Sequence, residues 1–162
     1  MLMTLNLNLI KKLSKYKLEF GLFEEDSIKK VKVKVLNTDN TITNIDMELG
    51  DVMYFTENGT MTIPGKHILD RCLNEFNQMI SNFYEDLIYD ILNETILDES
   101  SLMLKLTEFS LKLQALVQVR FMTFAEENNI VGTILQQKDG NKYIYSIKSL
   151  SKYIKCKVIK QV

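Results

Sequence analysis

One apolar pattern in the middle of the chain constrains the fold more than any other feature. From Leu69 to Leu92, apolar residues recur at spacings of three and four over more than twenty positions, with no glycine or proline inside the run. This periodicity predicts one continuous amphipathic helix, about 40 Å long at about 1.5 Å per residue. Such a helix is stabilised mainly by covering its apolar stripe, so we expect it to form the spine of the core.

Three further helical patterns surround this spine. Apolar residues at helical spacing predict a short helix over residues 3–14, although the alternation over residues 5–9 also fits a strand. A second long helix follows the polar break at residues 98–101, carries its apolar stripe from Leu102 to Phe124 and ends near Asn128-Asn129. A short helical pattern beginning at Ile45 and reaching Thr56 stops at Asn58-Gly59, a pair that favours a sharp turn.

Alternation with a period of two predicts strands near both ends of the sequence. Residues 16–22 and 153–162 alternate apolar with polar side chains, and residues 28–36 place valines on one face and lysines on the other, where they also guard a sheet edge. Residues 24–27 supply a turn between the first two strands. Residues 130–137 fit either a helical extension or a strand, and Asp139-Gly140 is a turn in both cases.

The expected fold class is therefore α+β. A small, mainly antiparallel sheet from both chain ends is expected to pack against the long central helix and the second helix. Six glycines and one proline leave little room for long loops, and no linker or internal repeat divides the sequence. Residues 1–162 are accordingly predicted to form a single domain.

Charge is distributed unevenly along the chain despite the net value of −1. Residues 1–35 carry eight lysines against four acidic residues, residues 36–100 carry thirteen acidic against two basic residues, and residues 101–162 carry ten basic against four acidic residues. Two interpretations fit these blocks. The charged residues form solvated faces that are interspersed once the chain folds, or they form faces of opposite sign that suit head-to-tail contact between copies of the chain. A candidate interface or polyanion-binding face consists of Lys30, Lys32, Lys34, Lys155 and Lys157.

Residues that carry out catalysis or bind metals are sparse. His67 is the only histidine and is interpreted as a capping or surface residue rather than an acid-base catalyst. Cys72 and Cys156 are interpreted as small apolar fillers, and no glycine-rich phosphate-binding motif occurs. We therefore predict no catalytic residues, no metal site, no cofactor and no small-molecule substrate. The sequence contains no apolar run long enough for a bilayer span, and because the lysines near its start follow the apolar stretch instead of preceding it, we expect no signal peptide there.

Three segments, taken in order, resemble the tail-completion or virion-morphogenesis proteins of tailed bacteriophages. Residues 53–69 are similar to a family signature that runs Glu-Phe-Gly-Thr, a short spacer and Ile-Pro-x-Arg-Pro-Phe before a long helix. Residues 17–23 are similar to its early strand, and residues 150–158 to its closing segment. The matching residues of the signature are Glu57, Gly59, Thr60, Ile63 and Pro64. Gly59 suits a positive φ that reverses the chain, and Pro64 suits the entry to the long helix. Glu57 suits either backbone hydrogen bonds within the loop or a place near a helix start.

The resemblance implies a structural virion protein that acts at the neck or the top of the tail, in head-tail joining or tail completion. It implies a homo-oligomeric ring in contact with other phage neck or tail proteins, made in the host cytoplasm and carried in the virion. DNA contact and membrane association are not predicted. The alternative, argued from the residues alone, is a small intracellular module that binds nucleic acid or protein through the lysine-rich sheet face.

Overall fold

The computed structural model describes the backbone of residues 2–61, 63–127, 133–138 and 140–161. In chain order, these residues form α1 (Leu2–Leu13), β1 (Tyr16–Gly21), α2 (Glu24–Ser27), β2 (Lys30–Leu36), β3 (Ile42–Glu48), α3 (Leu49–Asn58), α4 (Ile68–Leu92), α5 (Glu99–Glu127), β4 (Thr133–Lys138), β5 (Asn141–Tyr145), α6 (Ile147–Ser151) and β6 (Lys155–Lys160). The chain divides into two compact units, one drawn from residues 1–20, 73–115 and 156–162 and the other from residues 21–72 and 116–155. Both units are therefore discontinuous in sequence, and the single-domain interpretation stays a prediction.

The first unit is a helical core closed by a small sheet. One buried cluster contains Leu9 and Leu13 of α1, Leu87 and Ile91 of α4, Leu102 and Leu106 of α5, and Ile96 of the connection between α4 and α5. The rings of Phe83 and Phe109 stack across α4 and α5 with their centroids 3.9 Å apart. Strands β1 and β6 pair beside this core. The Gln161 amide, just after β6, donates a hydrogen bond to the Lys15 carbonyl, just before β1. The end of β6 therefore lies beside the start of β1, and the two strands run antiparallel.

The second unit is built on a four-stranded sheet in the order β3-β2-β5-β4. Strand β2 pairs antiparallel with β3 over seven positions and with β5 on its other side. Val33 and Val35 of β2 are buried, as are Leu49 and Val52 of α3. Ile147 and Leu150 of α6, Ile154, and Val117 and Phe121 of α5 are also almost fully removed from water.

The α+β fold class is confirmed, and so are the strongest periodic signals. The pattern over 69–92 forms α4, the second long pattern forms α5, and the N-terminal pattern forms α1 rather than a strand. Alternation correctly located β1, β2 and β6. Residues 133–137, for which helix and strand were both open, lie in strand β4. The predicted helix end at Asn128-Asn129, the start of the open segment at 130–132 and Asp139 lie outside the described residues.

The predicted helical pattern starting at Ile45 is wrong in its first half. Residues 42–48 form strand β3, and only residues 49–58 form helix α3. All of β3 except Met47 is exposed. A strand without a buried face has no alternation of apolar and polar residues to reveal it, and pairing with β2 decides its conformation.

Two smaller predictions are also corrected. Residues 24–27 form the short helix α2 instead of a simple turn, because the amides of Asp26 and Ser27 both bond to the Phe23 carbonyl. The lysines of β2 do not guard a sheet edge, since β2 lies between β3 and β5. Strand β5 and helix α6 lack a strong periodic signal, and sequence reasoning missed both.

The two sides of α5 provide a test of where the first unit's core lies. Leu106 is fully buried, whereas Leu104, two residues earlier, is 59% exposed. Leu106→Ala is expected to lower the free energy of unfolding by about 2–5 kcal/mol because it leaves a cavity. Leu104→Ala, the matched control on the same helix, is expected to change it by about 0.5 kcal/mol or less. Urea denaturation measures both, and equal losses would contradict this placement of the core.

Candidate functional site

Glu57 lies in the last turn of α3, and the other four residues of the signature lie in the connection from α3 to α4; residues 57–61 and 63–67 are here called the motif loop. Gly59 follows α3 with φ of 72°, and it pairs with Pro64 in an isolated antiparallel bridge. The Thr60 amide donates to the Ile63 carbonyl at 2.8 Å, and the Ile63 amide donates to the Thr60 hydroxyl at 3.2 Å. Thr60 and Ile63 therefore close the loop tip on each other.

Glycine is required at two points of the motif loop by close backbone approach. A Cβ atom on Gly59 would lie 2.2 Å from the Ile63 carbonyl oxygen, and φ of this residue is positive as well. A Cβ atom on Gly65 would lie 2.2 Å from the Glu57 carbonyl oxygen. Both distances are far below van der Waals contact, so a side chain at either position would force the backbone segments apart.

The Glu57 side chain caps the first turn of α4. It is 8% exposed, and its Oε1 atom accepts a hydrogen bond from the Ile68 amide at 2.7 Å. The Leu69 amide lies 3.1 Å from both carboxylate oxygens. The first amides of a helix have no partner inside the helix, and a carboxylate there satisfies them and interacts favourably with the helix dipole. The cap combines the two roles that the sequence leaves open for Glu57, since this carboxylate accepts backbone hydrogen bonds at a helix start.

The backbone of the motif loop reinforces this cap. The Lys66 amide donates to the Thr56 carbonyl at 2.8 Å, and the His67 amide donates to the Glu57 carbonyl at 3.2 Å. His67 takes a positive φ of 52° immediately before α4. Because Glu57 bonds through both its side chain and its carbonyl, one residue joins the end of α3 to the start of α4.

Two competing effects act on the Glu57 pKa. Burial raises the pKa, while the hydrogen bonds from the Leu69 and Ile68 amides lower it, and the net direction is upward. A carboxylate with a raised pKa is a common feature of catalytic sites. In this chain its oxygens are occupied by backbone amides of α4, an arrangement that favours a structural role.

Pro64 occupies a different position from the one predicted. Helix α4 begins at Ile68, so Pro64 does not lie in its first turn. Instead the proline forms the far side of the bridge with Gly59. The hydrogen bond beside this bridge runs from the Thr60 amide to the Ile63 carbonyl, and the Gly59 amide donates to the Phe55 carbonyl, so position 64 accepts a residue without an amide hydrogen.

The lysines of the predicted interface face lie on two strands that belong to different sheets. Lys30, Lys32 and Lys34 lie on β2 of the four-stranded sheet, and Lys155 and Lys157 lie on β6, which pairs with β1. Two of the β2 lysines form ion pairs with the neighbouring strand β3. The Lys32 Nζ atom lies 2.6 Å from Asp46 Oδ1, and the Lys30 Nζ atom lies 3.6 Å from Glu48 Oε1. Strand β3 therefore neutralises much of the positive charge that the sequence places on β2.

Lys155 participates in an ion cluster that sequence reasoning missed. Its Nζ atom lies 2.7 Å from Asp26 Oδ2, and the Lys29 Nζ atom lies 2.5 Å from Asp26 Oδ1. The Asp26 side chain is only 2% exposed, and the two lysines hold its pKa below the ordinary range. The sequence could have indicated the contact of Asp26 with Lys29, because the two residues are three positions apart. The contact with Lys155 could not be predicted, because it depends on the fold.

The remaining candidate residues carry no reactive arrangement. His67 is 54% exposed in its side chain, with Nδ1 3.8 Å from Asp70. Cys72 and Cys156 are buried, and burial raises the pKa of the Cys156 thiol to about 11, which keeps it protonated at neutral pH. Within the described ranges, no three histidine, cysteine or acidic side chains converge in a way that could hold a metal ion.

Comparisons with protein-family models, with curated proteins and with solved structures find no match to this chain. None of the helices in the described part of the chain has the length and apolar character needed to cross a membrane.

The Glu57 cap predicts a defined stability loss. Glu57→Ala leaves two amides at the start of α4 without partners, and we expect the free energy of unfolding to fall by about 1–3 kcal/mol. Asp70→Ala is the matched control, because it removes an exposed carboxylate from the first turn of the same helix and is expected to cost about 0.3–1 kcal/mol. Chemical denaturation compares the two variants, and equal effects would contradict the cap.

Glu57→Gln tests the upward direction of the Glu57 pKa. A carboxyl whose pKa is raised on folding stabilises the protein at low pH, and this contribution is lost as pH rises from the ordinary glutamate pKa through the raised one. The glutamine variant lacks this titration. Between the ordinary and the raised pKa, the free energy of unfolding of the variant relative to the parent is therefore expected to increase with pH. Chemical denaturation at several pH values measures this difference, and a difference that stays constant with pH would show that the pKa is not raised.

The Asp26 cluster predicts the opposite pH dependence. Because the pKa of Asp26 is lowered on folding, its stabilisation is present above the ordinary aspartate pKa and is lost as pH falls through the lowered value. Asp26→Asn is expected to cost about 1–3 kcal/mol at neutral pH and progressively less in acid. Asp46→Asn, which breaks an exposed ion pair with Lys32, is expected to cost about 0–1 kcal/mol. Comparable losses at neutral pH would contradict the buried cluster.

Proposed function

We propose that this chain is a non-enzymatic structural protein of a tailed-bacteriophage virion, acting at the neck or the top of the tail in head-tail joining or tail completion. The observation that carries the proposal is the motif loop. Glu57, Gly59, Thr60 and Pro64 each make a specific structural contact in it, and Ile63 closes its tip. The residues that carry the family resemblance thus act together as one unit.

The order of the resembling segments along the fold also supports the proposal. The early segment forms β1, the signature leads through the motif loop into α4, and the closing segment ends in β6. Strands β1 and β6 pair with each other, so the first and last segments of the resemblance meet in one sheet. A chance match of short motifs has no reason to coincide with such an arrangement.

The chemical state of the candidate residues favours an assembly role over catalysis. The Glu57 carboxylate is occupied by backbone amides, and the Cys156 thiol is protonated at neutral pH. The alternative of a polyanion-binding module draws less support, because Lys30, Lys32 and Lys155 already have acidic partners within the chain. Neighbouring carboxylates weaken the attraction of a lysine for phosphate.

Deletion of the coding sequence in the phage that encodes this chain tests the proposal. We expect electron micrographs of the deletion phage to show separate heads and tails, or tails with defective upper ends. Supplying the parent chain in trans is expected to restore joined particles. Quantitative mass spectrometry of purified virions is expected to find several copies per particle. Normal particles from the deletion, together with absence of the chain from virions, would refute the proposal.

Binding to nucleic acid separates the proposal from its alternative. Filter binding of the purified chain to duplex DNA and to single-stranded RNA at low salt is expected to show no saturable complex. The lysine-rich module instead predicts binding that weakens steeply with salt and with the change of Lys32, Lys34, Lys155 and Lys157 to glutamine. That second result would favour the alternative.

A further inference from the structure

Within the first unit, helix α5 has apolar residues on two opposite sides. Leu102, Leu106 and Leu113 are fully buried on the inner side. Leu104 and Leu111 are 59% and 58% exposed. At about 100° per residue, Leu104 lies about 200° around the helix from Leu102, so the exposed leucines face away from the core. An ordinary amphipathic helix would carry polar side chains there.

The exposed side of α5 combines apolar and basic character. Leu104, Leu111 and Ala115 share one face at spacings of seven and four, and all three are exposed. Lys105 and Lys112 flank this face next to the two leucines. We call these five residues the α5 outer stripe. Glu108 also lies on this side, which leaves the stripe with a net positive charge.

The end of the α4-α5 hairpin in the same unit has the complementary character. Ile88, Tyr89 and Leu92 are 37%, 67% and 54% exposed on the last turns of α4. Glu85 and Asp86 are exposed beside them, and we call these five residues the hairpin-end patch. The segment 85–99 contains six acidic residues and no basic residue.

We propose that the hairpin-end patch of one copy binds the α5 outer stripe of a second copy of this chain. Ile88 and Leu92 would cover the exposed Leu104 and Leu111, while Glu85 and Asp86 would face Lys105 and Lys112. Among the described residues, these four charged side chains have no ion-pair partner within the chain, which leaves them available to a neighbour. Opposite charges around an apolar centre set both the partner and the register of such a contact.

The contact is heterologous, because it joins two different patches. Successive copies form a closed ring when the rotation from one copy to the next returns to the first copy. The inference deepens the proposed function and rests on it in one respect, the assembly of this chain with copies of itself. It assigns that assembly to two surfaces distinct from the motif loop.

Paired substitutions of exposed apolar residues test the contact. Leu104→Glu with Leu111→Glu is expected to convert the assembled parent chain to monomers, measured by sedimentation velocity and native mass spectrometry over a concentration series. Ile42→Glu with Ile45→Glu is the matched control, since these β3 side chains are also exposed, at 66% and 36%. Circular dichroism checks that both variants stay folded. Assembly that survives the α5 change, or a parent chain that is monomeric throughout, overturns the inference.

A charge exchange tests the pairing of the two patches directly. Lys105→Glu with Lys112→Glu is expected to weaken assembly at least tenfold, and so is Glu85→Lys with Asp86→Lys. The chain carrying all four changes is expected to assemble like the parent, and the two double variants are expected to form a complex when mixed. Failure of both rescues overturns the inference, because the pairing of the two patches requires that the opposite change restore assembly.

The outcomes separate this inference from the proposed function. If the chain occurs in virions and assembles with the α5 outer stripe disrupted, the inference fails and the virion role stands. If the charge exchange restores assembly but virions lack the chain, the contact stands and the virion role fails.

Discussion

The hydrogen bonds of the Glu57 carboxylate to the first amides of α4 are the interaction on which the second unit most depends. A 25-residue helix presents unpaired amides at its start, and burying them without partners is costly. Glu57 supplies both oxygens from the end of the preceding helix. Gly59 and Gly65 make this possible, because only glycine lets the loop backbone approach closely enough for the carboxylate to reach α4.

Local backbone geometry accounts for the residue types of the motif loop. Gly59 takes a positive φ, Gly65 allows a close backbone contact, Pro64 lies where no amide hydrogen is needed, and Glu57 supplies a buried acceptor. The helix dipole and two amides offset part of the lost hydration of the Glu57 carboxylate, but burial outweighs them and raises its pKa.

The elements that sequence analysis located are those with a regular apolar periodicity in the sequence. In helices α4 and α5 and strand β2 this periodicity corresponds to a buried and an exposed face, whereas most residues of β1 and β6 are half-buried. Strand β3 has no buried face, and its pairing with β2 overrode the helical spacing that starts at Ile45. In the candidate site, the role of Glu57 followed from residue type and position, whereas the contact of Asp26 with Lys155 joins residues far apart in sequence.

The sequence by itself determined the long helices, the strands at both chain ends and the tight reversal at Gly59, because these depend on local periodicity and on the φ that a residue can adopt. The tertiary structure decided which charged side chains have partners within the chain and which apolar side chains stay exposed. It paired the lysines of β2 with acids of β3, buried Asp26 between two lysines and left Leu104 and Leu111 facing outward. Charge pairing and burial depend on which distant segments come together, and no local pattern contains that information.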